Sequence, residues 1–156
     1  MSDRQTRMGR VPIGRPIPVK FTAESAQQLR EVGSSLGQRR TGAVVRVAIR
    51  ALLRDPGIVT PEMLSERSAR TARLIETSLN FHMEDELRDS LDLLAVQVGT
   101  SRAELVRIAV DLLLLRIASD RLHGRPAIDD EVTAEIYRGE ANRDVLIARR
   151  ARQRGR

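Results

Sequence analysis

The sequence predicts a mainly α-helical protein with two short strands, built from one small unit used twice. The first observation is an internal repeat at an offset of 62, which lays Ile17-Pro18-Val19-Lys20-Phe21 over Leu79-Asn80-Phe81-His82-Met83. Both pentapeptides alternate apolar and polar, the period of a half-buried strand. The second is the segment after each strand: Leu29, Val32, Gly33, Leu36 and Gly37 fall on Leu91, Leu94, Ala95, Val98 and Gly99 at helical spacing. The third is an offset of 61 beyond the glycines, where Val44-Val45-Arg46-Val47-Ala48-Ile49 lies on Leu105-Val106-Arg107-Ile108-Ala109-Val110.

Local chemistry marks the elements in order. Thr22 is placed to cap the first helix, with Glu24 in its first turn. Gly37 suits the end of that helix, and Thr41 is the expected cap of the next. Residues 55–77 form a linker whose Pro61-to-Leu74 stretch is compatible with a short helix. In the second copy, Glu84, Asp85 and Glu86 put negative charge at a helix N-terminus, and Gly99 ends that helix. Ser101 and Glu104 then have capping-box spacing. The segment from Leu105 to Ala118 is apolar nearly all round, so it needs burial on several sides. One small unit cannot supply that, and a lone strand has nothing to pair with. The partner of each unit is encoded in the same chain. Gly124-Arg125-Pro126 then breaks the helix, Asp130 to Ile147 has helical character, and the basic run Arg149 to Arg156 is expected to be disordered.

Composition narrows the function. The chain has 156 residues, no cysteine and a net charge of +6. A disulfide scaffold and thiolate zinc sites are therefore excluded. The arginines after Met1 have no apolar segment behind them, and the Leu112–Leu115 run is too short to span a bilayer. The expected setting is cytoplasmic and nucleoid-associated, with no membrane partner. Phe21, Phe81 and Tyr137 are the only aromatics, too few for base-stacking platforms. Charge is segregated: residues 1–20 and 21–54 each carry +4, residues 78–118 carry −3, and residues 143–156 carry +5. Basic termini of this kind suit a polyanionic partner.

The alternating strand, the Gly-terminated helix and the run Thr100-Ser101-Arg102-Ala103-Glu104-Leu105-Val106-Arg107-Ile108-Ala109 resemble the ribbon–helix–helix superfamily of Arc- and MetJ-type repressors. Residues 78–118 resemble it closely. Residues 16–54 do so with departures, since Pro16 and Pro18 sit in the strand and Gly42 stands early in the second helix. The resemblance implies that the two strands pair antiparallel into one ribbon over four helices. The tandem copies then look like a single-chain pseudodimer, similar to two-unit accessory proteins of the conjugative relaxosome. Exchange of copies between two chains is the alternative pairing. Residues 1–15 would be a basic arm and residues 119–156 a helical extension with a basic tail.

In such a ribbon Ile17, Val19, Phe21, Leu79, Phe81 and Met83 point to the helices. Pro18, Lys20, Asn80 and His82 are left outward as candidate base readers in a DNA major groove. Asn80 has the amide for adenine, Lys20 a donor for guanine, His82 either role, and Pro18 only apolar contact. Arg39, Arg40, Thr41 and Gly42 in copy one, and Thr100, Ser101 and Arg102 in copy two, are candidate phosphate binders at helix N-termini. Arg4, Arg7, Arg10 and Arg15 are the candidate arm contacts. The expected function is sequence-specific binding of double-stranded DNA, in repression or in plasmid DNA processing, with possible self-association along the DNA. No cofactor, metal or catalytic residue is expected, because His82 and His123 stand in unrelated contexts and no nucleophile or phosphate-loop motif occurs. The alternative is an antitoxin-like protein whose residues 119–156 bind a partner protein.

Overall fold

The structure is a computed structural model that describes residues 15–36, 40–71, 74–125 and 128–155. It is mainly helical, with a single two-stranded antiparallel sheet among the described residues. In chain order the elements are β1 (Arg15–Thr22), α1 (Ala23–Ser35), α2 (Thr41–Arg54), a 3-10 turn (Pro56–Ile58), α3 (Pro61–Thr71), β2 (Ile75–Met83), α4 (Asp85–Val98), α5 (Arg102–Leu122) and α6 (Asp129–Arg154). No helix among the described residues is long and apolar enough to cross a membrane.

β1 and β2 of the same chain pair with each other, and the register carries the repeat. Pro18 faces Asn80, its own equivalent in the other copy, so a pseudo-two-fold axis passes between them. Ile17 faces Phe81 and Val19 faces Leu79 on either side of that axis. The ladder loses its regularity only at Phe21 and Thr22.

Helix ends follow local chemistry with three departures. Thr22 caps α1, its Oγ1 accepting from the Ser25 N–H at 3.1 Å. Gly99 ends α4 at φ 76°, a left-handed conformation that side chains disfavour. Thr41 is not the cap of α2: it is already the first helical residue, and Arg40 precedes it without a side-chain cap bond. Thr41 is pressed against Gly33, where an added Cβ would lie 2.8 Å from Thr41 Oγ1 and 2.9 Å from its backbone N. Ser101 does cap α5, accepting from the Glu104 N–H at 3.1 Å, but the Glu104 carboxylate turns to Arg67 and Arg107 rather than back to the cap. The third departure is the basic run, which continues α6 as helix to Arg154.

The core lies under the ribbon. Ile17, Val19, Phe21, Phe81 and Met83 are buried against α2 and α5, whose Val44, Ile49, Leu105, Val106 and Val110 are sealed from solvent. Fully burying a side chain of this size is worth about 1.5–3 kcal/mol. The all-round apolarity of α5 is used as far as Leu113 and Ile117, whereas Leu115 and Leu122 are exposed.

α3 and α6 flank this core through ion networks related by the repeat but exchanged in charge. Arg46 and Arg50 of α2 take the buried Glu135 of α6, at 3.2 and 2.7 Å, and Arg50 also reaches Glu84 at 3.0 Å. The equivalent positions on α5 are Arg107 and Asp111. There α3 supplies the cation, with Arg67 2.6 Å from Glu104 and 2.8 Å from Asp111. Glu104 has no acidic counterpart in copy one, where Ala43 takes its place, so α6 brings in the missing carboxylate.

Candidate nucleic-acid interface

Strand pleating decides which side chains leave the ribbon's outer face. Pro16, Pro18 and Lys20 of β1 are exposed there, as are Ser78, Asn80 and His82 of β2, while the residues between them are buried or half-buried. Pro18, Lys20, Asn80 and His82 therefore share one surface. Pro16 and Ser78 were not anticipated. They extend the surface, since Pro16 faces His82 and Lys20 faces Ser78, and the exposed Glu76 continues the alternation of β2 at the register shift. Extending the alternation one step outward in each strand would have found Pro16 and Ser78.

Two arginines of the repeated second helix hold this surface from beneath. Arg46 Nη1 donates to the His82 carbonyl at 3.1 Å, and Arg107 Nη1 donates to the Lys20 carbonyl at 3.1 Å. Arg46 and Arg107 are repeat equivalents, and so are His82 and Lys20. The same bond is made twice, each helix gripping the strand of the opposite copy. The remaining edge of each guanidinium is fixed by a carboxylate, Glu135 for Arg46 and Glu104 for Arg107. Burial pushes the Arg46 pKa below its ordinary value, with Glu135 opposing the shift. Both outer positions of the ribbon are thus set by charge-assisted bonds, which are stronger than neutral ones.

The N-termini of α2 and α5 stand at the two edges of the ribbon. At the α5 end, Thr100 is half-buried and Ser101 is exposed. Arg102 is bound bidentately by Asp92 at 2.5 and 2.6 Å. Those hydrogen bonds raise the Arg102 pKa and hold the Asp92 carboxyl below the usual carboxylate range. Arg102 also lines a cleft of about 430 Å³ with Arg88, Pro16, Ile17 and Pro18 beside β1. At the α2 end, Gly42 approaches Phe81, with 3.7 Å from the site of an added Cβ to the Phe81 Cβ. Arg40 stands beside it, half-buried, with its Nε buried and unbonded.

Free backbone N–H groups at helix starts suit an anion. The two ends differ, however: at the α5 end Arg88 and Arg102 are both paired with carboxylates, Arg88 with Asp85 at 3.2 Å and Arg102 with Asp92, whereas the α2 end carries Arg40. Arg39 lies outside the described residues, as do Arg4, Arg7 and Arg10, while Arg15 opens β1. Compared with protein-family models, with curated proteins and with solved structures, the chain matches none.

Proposed function

We propose that this chain is a tandem ribbon–helix–helix protein that binds double-stranded DNA sequence-specifically, laying its intramolecular ribbon into the major groove. The observation that carries this reading is the outer face of Pro16, Pro18, Lys20, Ser78, Asn80 and His82, clamped from below by the paired Arg46 and Arg107 bonds and bordered by two helix N-termini. A two-stranded ribbon fits the major groove, and Asn and Lys side chains match base-edge donors and acceptors there. Helix N-termini at both edges suit the flanking phosphates, which position the ribbon without reading sequence.

The two strands are not copies of each other on this face, so the preferred site is non-palindromic. Arg88 and Arg102 beside β1 differ from Arg40 at the other edge, which adds a second source of direction. The proposed roles are repression or an accessory part in plasmid DNA processing, in the cytoplasm at the nucleoid, with no enzymatic activity of its own. Units placed side by side on DNA fit the same reading. An antitoxin-like role for residues 119–156 has less support, because the first turns of α6 are committed to this chain's own body through Val132 and Glu135.

The test is selection of binding sites from random duplex DNA at near-physiological salt, with the Lys20→Ala, Asn80→Ala double variant in parallel. The expected result is an asymmetric motif that the variant does not enrich. Equal enrichment by both proteins, or no motif from either, overturns the reading.

A further inference from the structure

α2 starts at the ribbon, where Arg46 reaches the His82 carbonyl, and runs away from it toward Arg54. α6 runs the opposite way along it. Its Glu131 feels the charge of Arg54, and one turn later Glu135 is bound to Arg50 and Arg46. The next turn, at the buried Gly139, therefore comes level with the start of α2. The helix does not stop there but continues to Arg154. At 1.5 Å per residue, the stretch from Gly139 to Arg154 adds about 22 Å past the ribbon end of α2. Arg149, Arg150, Arg152 and Arg154 lie on this projecting part, all exposed, and none is in an ion pair among the described residues. After Asp144 the sequence has no acidic residue.

We infer that the last turns of α6 are a rigid basic arm that grips the phosphate backbone of duplex DNA outside the site read by the ribbon, on one flank only. The inference rests on the DNA-binding reading above and adds where the contact falls. Three observations favour duplex DNA as the occupant. The arm points to the ribbon's side of the molecule. Its arginines surround the helix end instead of forming one amphipathic face, which suits a groove and its phosphates more than a lipid surface. The arm is also anchored, since Ile128 and Val132 are buried and Glu135 holds α6 to α2. At 3.4 Å per step, a 22 Å arm reaches at most about six base pairs along a duplex. Only copy one carries such an arm, so the footprint is longer on its side.

The experiment compares the full chain with the Arg149→Gln, Arg150→Gln, Arg152→Gln, Arg154→Gln variant, with helicity checked by circular dichroism. The probes are mixed-sequence duplexes of about 12 and about 40 base pairs, titrated across a salt series that reflects phosphate neutralisation. The variant is expected to bind the long duplex about 10- to 100-fold more weakly, with a salt slope smaller by about 2–4, and the short duplex nearly as the parent does. On a duplex carrying a site selected by the parent protein, hydroxyl-radical footprinting should then lose up to about six base pairs on one flank. Unchanged affinity and slope on the long duplex overturn the inference. So does equal weakening on both lengths, or weakened capture on anionic vesicles with DNA binding intact. The Lys20→Ala, Asn80→Ala variant separates the two readings: if it leaves sequence discrimination unchanged while the arginine variant still loses the long duplex, the arm stands and the ribbon reading falls.

Discussion

Replacing Glu135 tests how the ribbon is held. This carboxylate is 3% exposed and binds Arg46, itself 6% exposed, as well as Arg50. Its removal leaves Arg46 buried with the His82 carbonyl as its hydrogen-bond partner and only the weaker pull of the Glu84 charge, while Arg50 keeps its direct bond to Glu84. Stripping one partner from a buried ion pair costs about 3–5 kcal/mol, most of it from the charge left behind. Glu135→Ala is therefore expected to lower unfolding free energy by about that amount in urea titrations, with the m value unchanged. Glu131→Gln is the control. Its ion pair with Arg116 involves side chains 36% and 44% exposed, and loss of such a pair is worth about 1 kcal/mol or less. A second arm replaces both buried partners, Arg46→Met with Glu135→Leu, and should recover most of the stability, because apolar replacements of buried pairs are often neutral. A Glu135→Ala cost no greater than that of Glu131→Gln, or a double variant no more stable than the single, refutes this account of the ribbon's support.

Four further outcomes can be checked. Lys20→Ala and Asn80→Ala should each weaken binding to the selected site by about 1–3 kcal/mol and leave nonspecific binding unchanged, read by competition titration. Gly33→Ala should destabilise by about 1–3 kcal/mol in urea melts, since the new Cβ meets the Thr41 backbone, which cannot swing aside. Gly99→Ala should cost about 1 kcal/mol for its left-handed backbone, whereas Gly57→Ala, with open space around it, should cost little. The hydrogen bonds from Arg102 and Arg116 hold Asp92 and Glu131 below the usual carboxylate range. Their contribution is therefore complete above the unfolded value, near pH 4, and is lost as pH falls through the folded values. Asp92→Asn with Glu131→Gln should flatten the acid limb of a stability–pH curve, modestly because both pairs are partly exposed.

Much of the ribbon was legible because strand and helix periods write themselves into every second or every third and fourth residue. The alternation in Ile17–Phe21 and Leu79–Met83 separated inward from outward side chains without any knowledge of pairing. Pro16 and Ser78 lie one residue beyond the repeated pentapeptides, where the same alternation continues, and the register sets them opposite His82 and Lys20. The start of α2 was harder to read. Thr41 has the chemistry of a cap, but its packing on Gly33 is a contact between helices that no local rule contains. Glu135 is the hardest case, since its partner Arg46 is 89 residues away in sequence. Yet a trace was present: at the repeat offset Ala43 replaces Glu104, which leaves Arg46 without the acid that Arg107 has. The basic run from Arg149 lacks an apolar face of its own, so reading it as disordered missed a helix continued from an anchored first half.

The long reach of these bonds also orders events while the chain is being made. β1 leaves the ribosome before β2, its one strand partner among the described residues, and Ile17 must wait for Phe81. Arg46 waits longer still, because Glu135 lies 89 residues downstream. At about 5–20 residues per second, that delay is roughly 4–18 s. During it the first copy carries an unpaired strand edge and a cation that cannot be buried without penalty. A chain broken off before α6 never gains the missing carboxylate. Completion of the first copy thus depends on a helix made after the second.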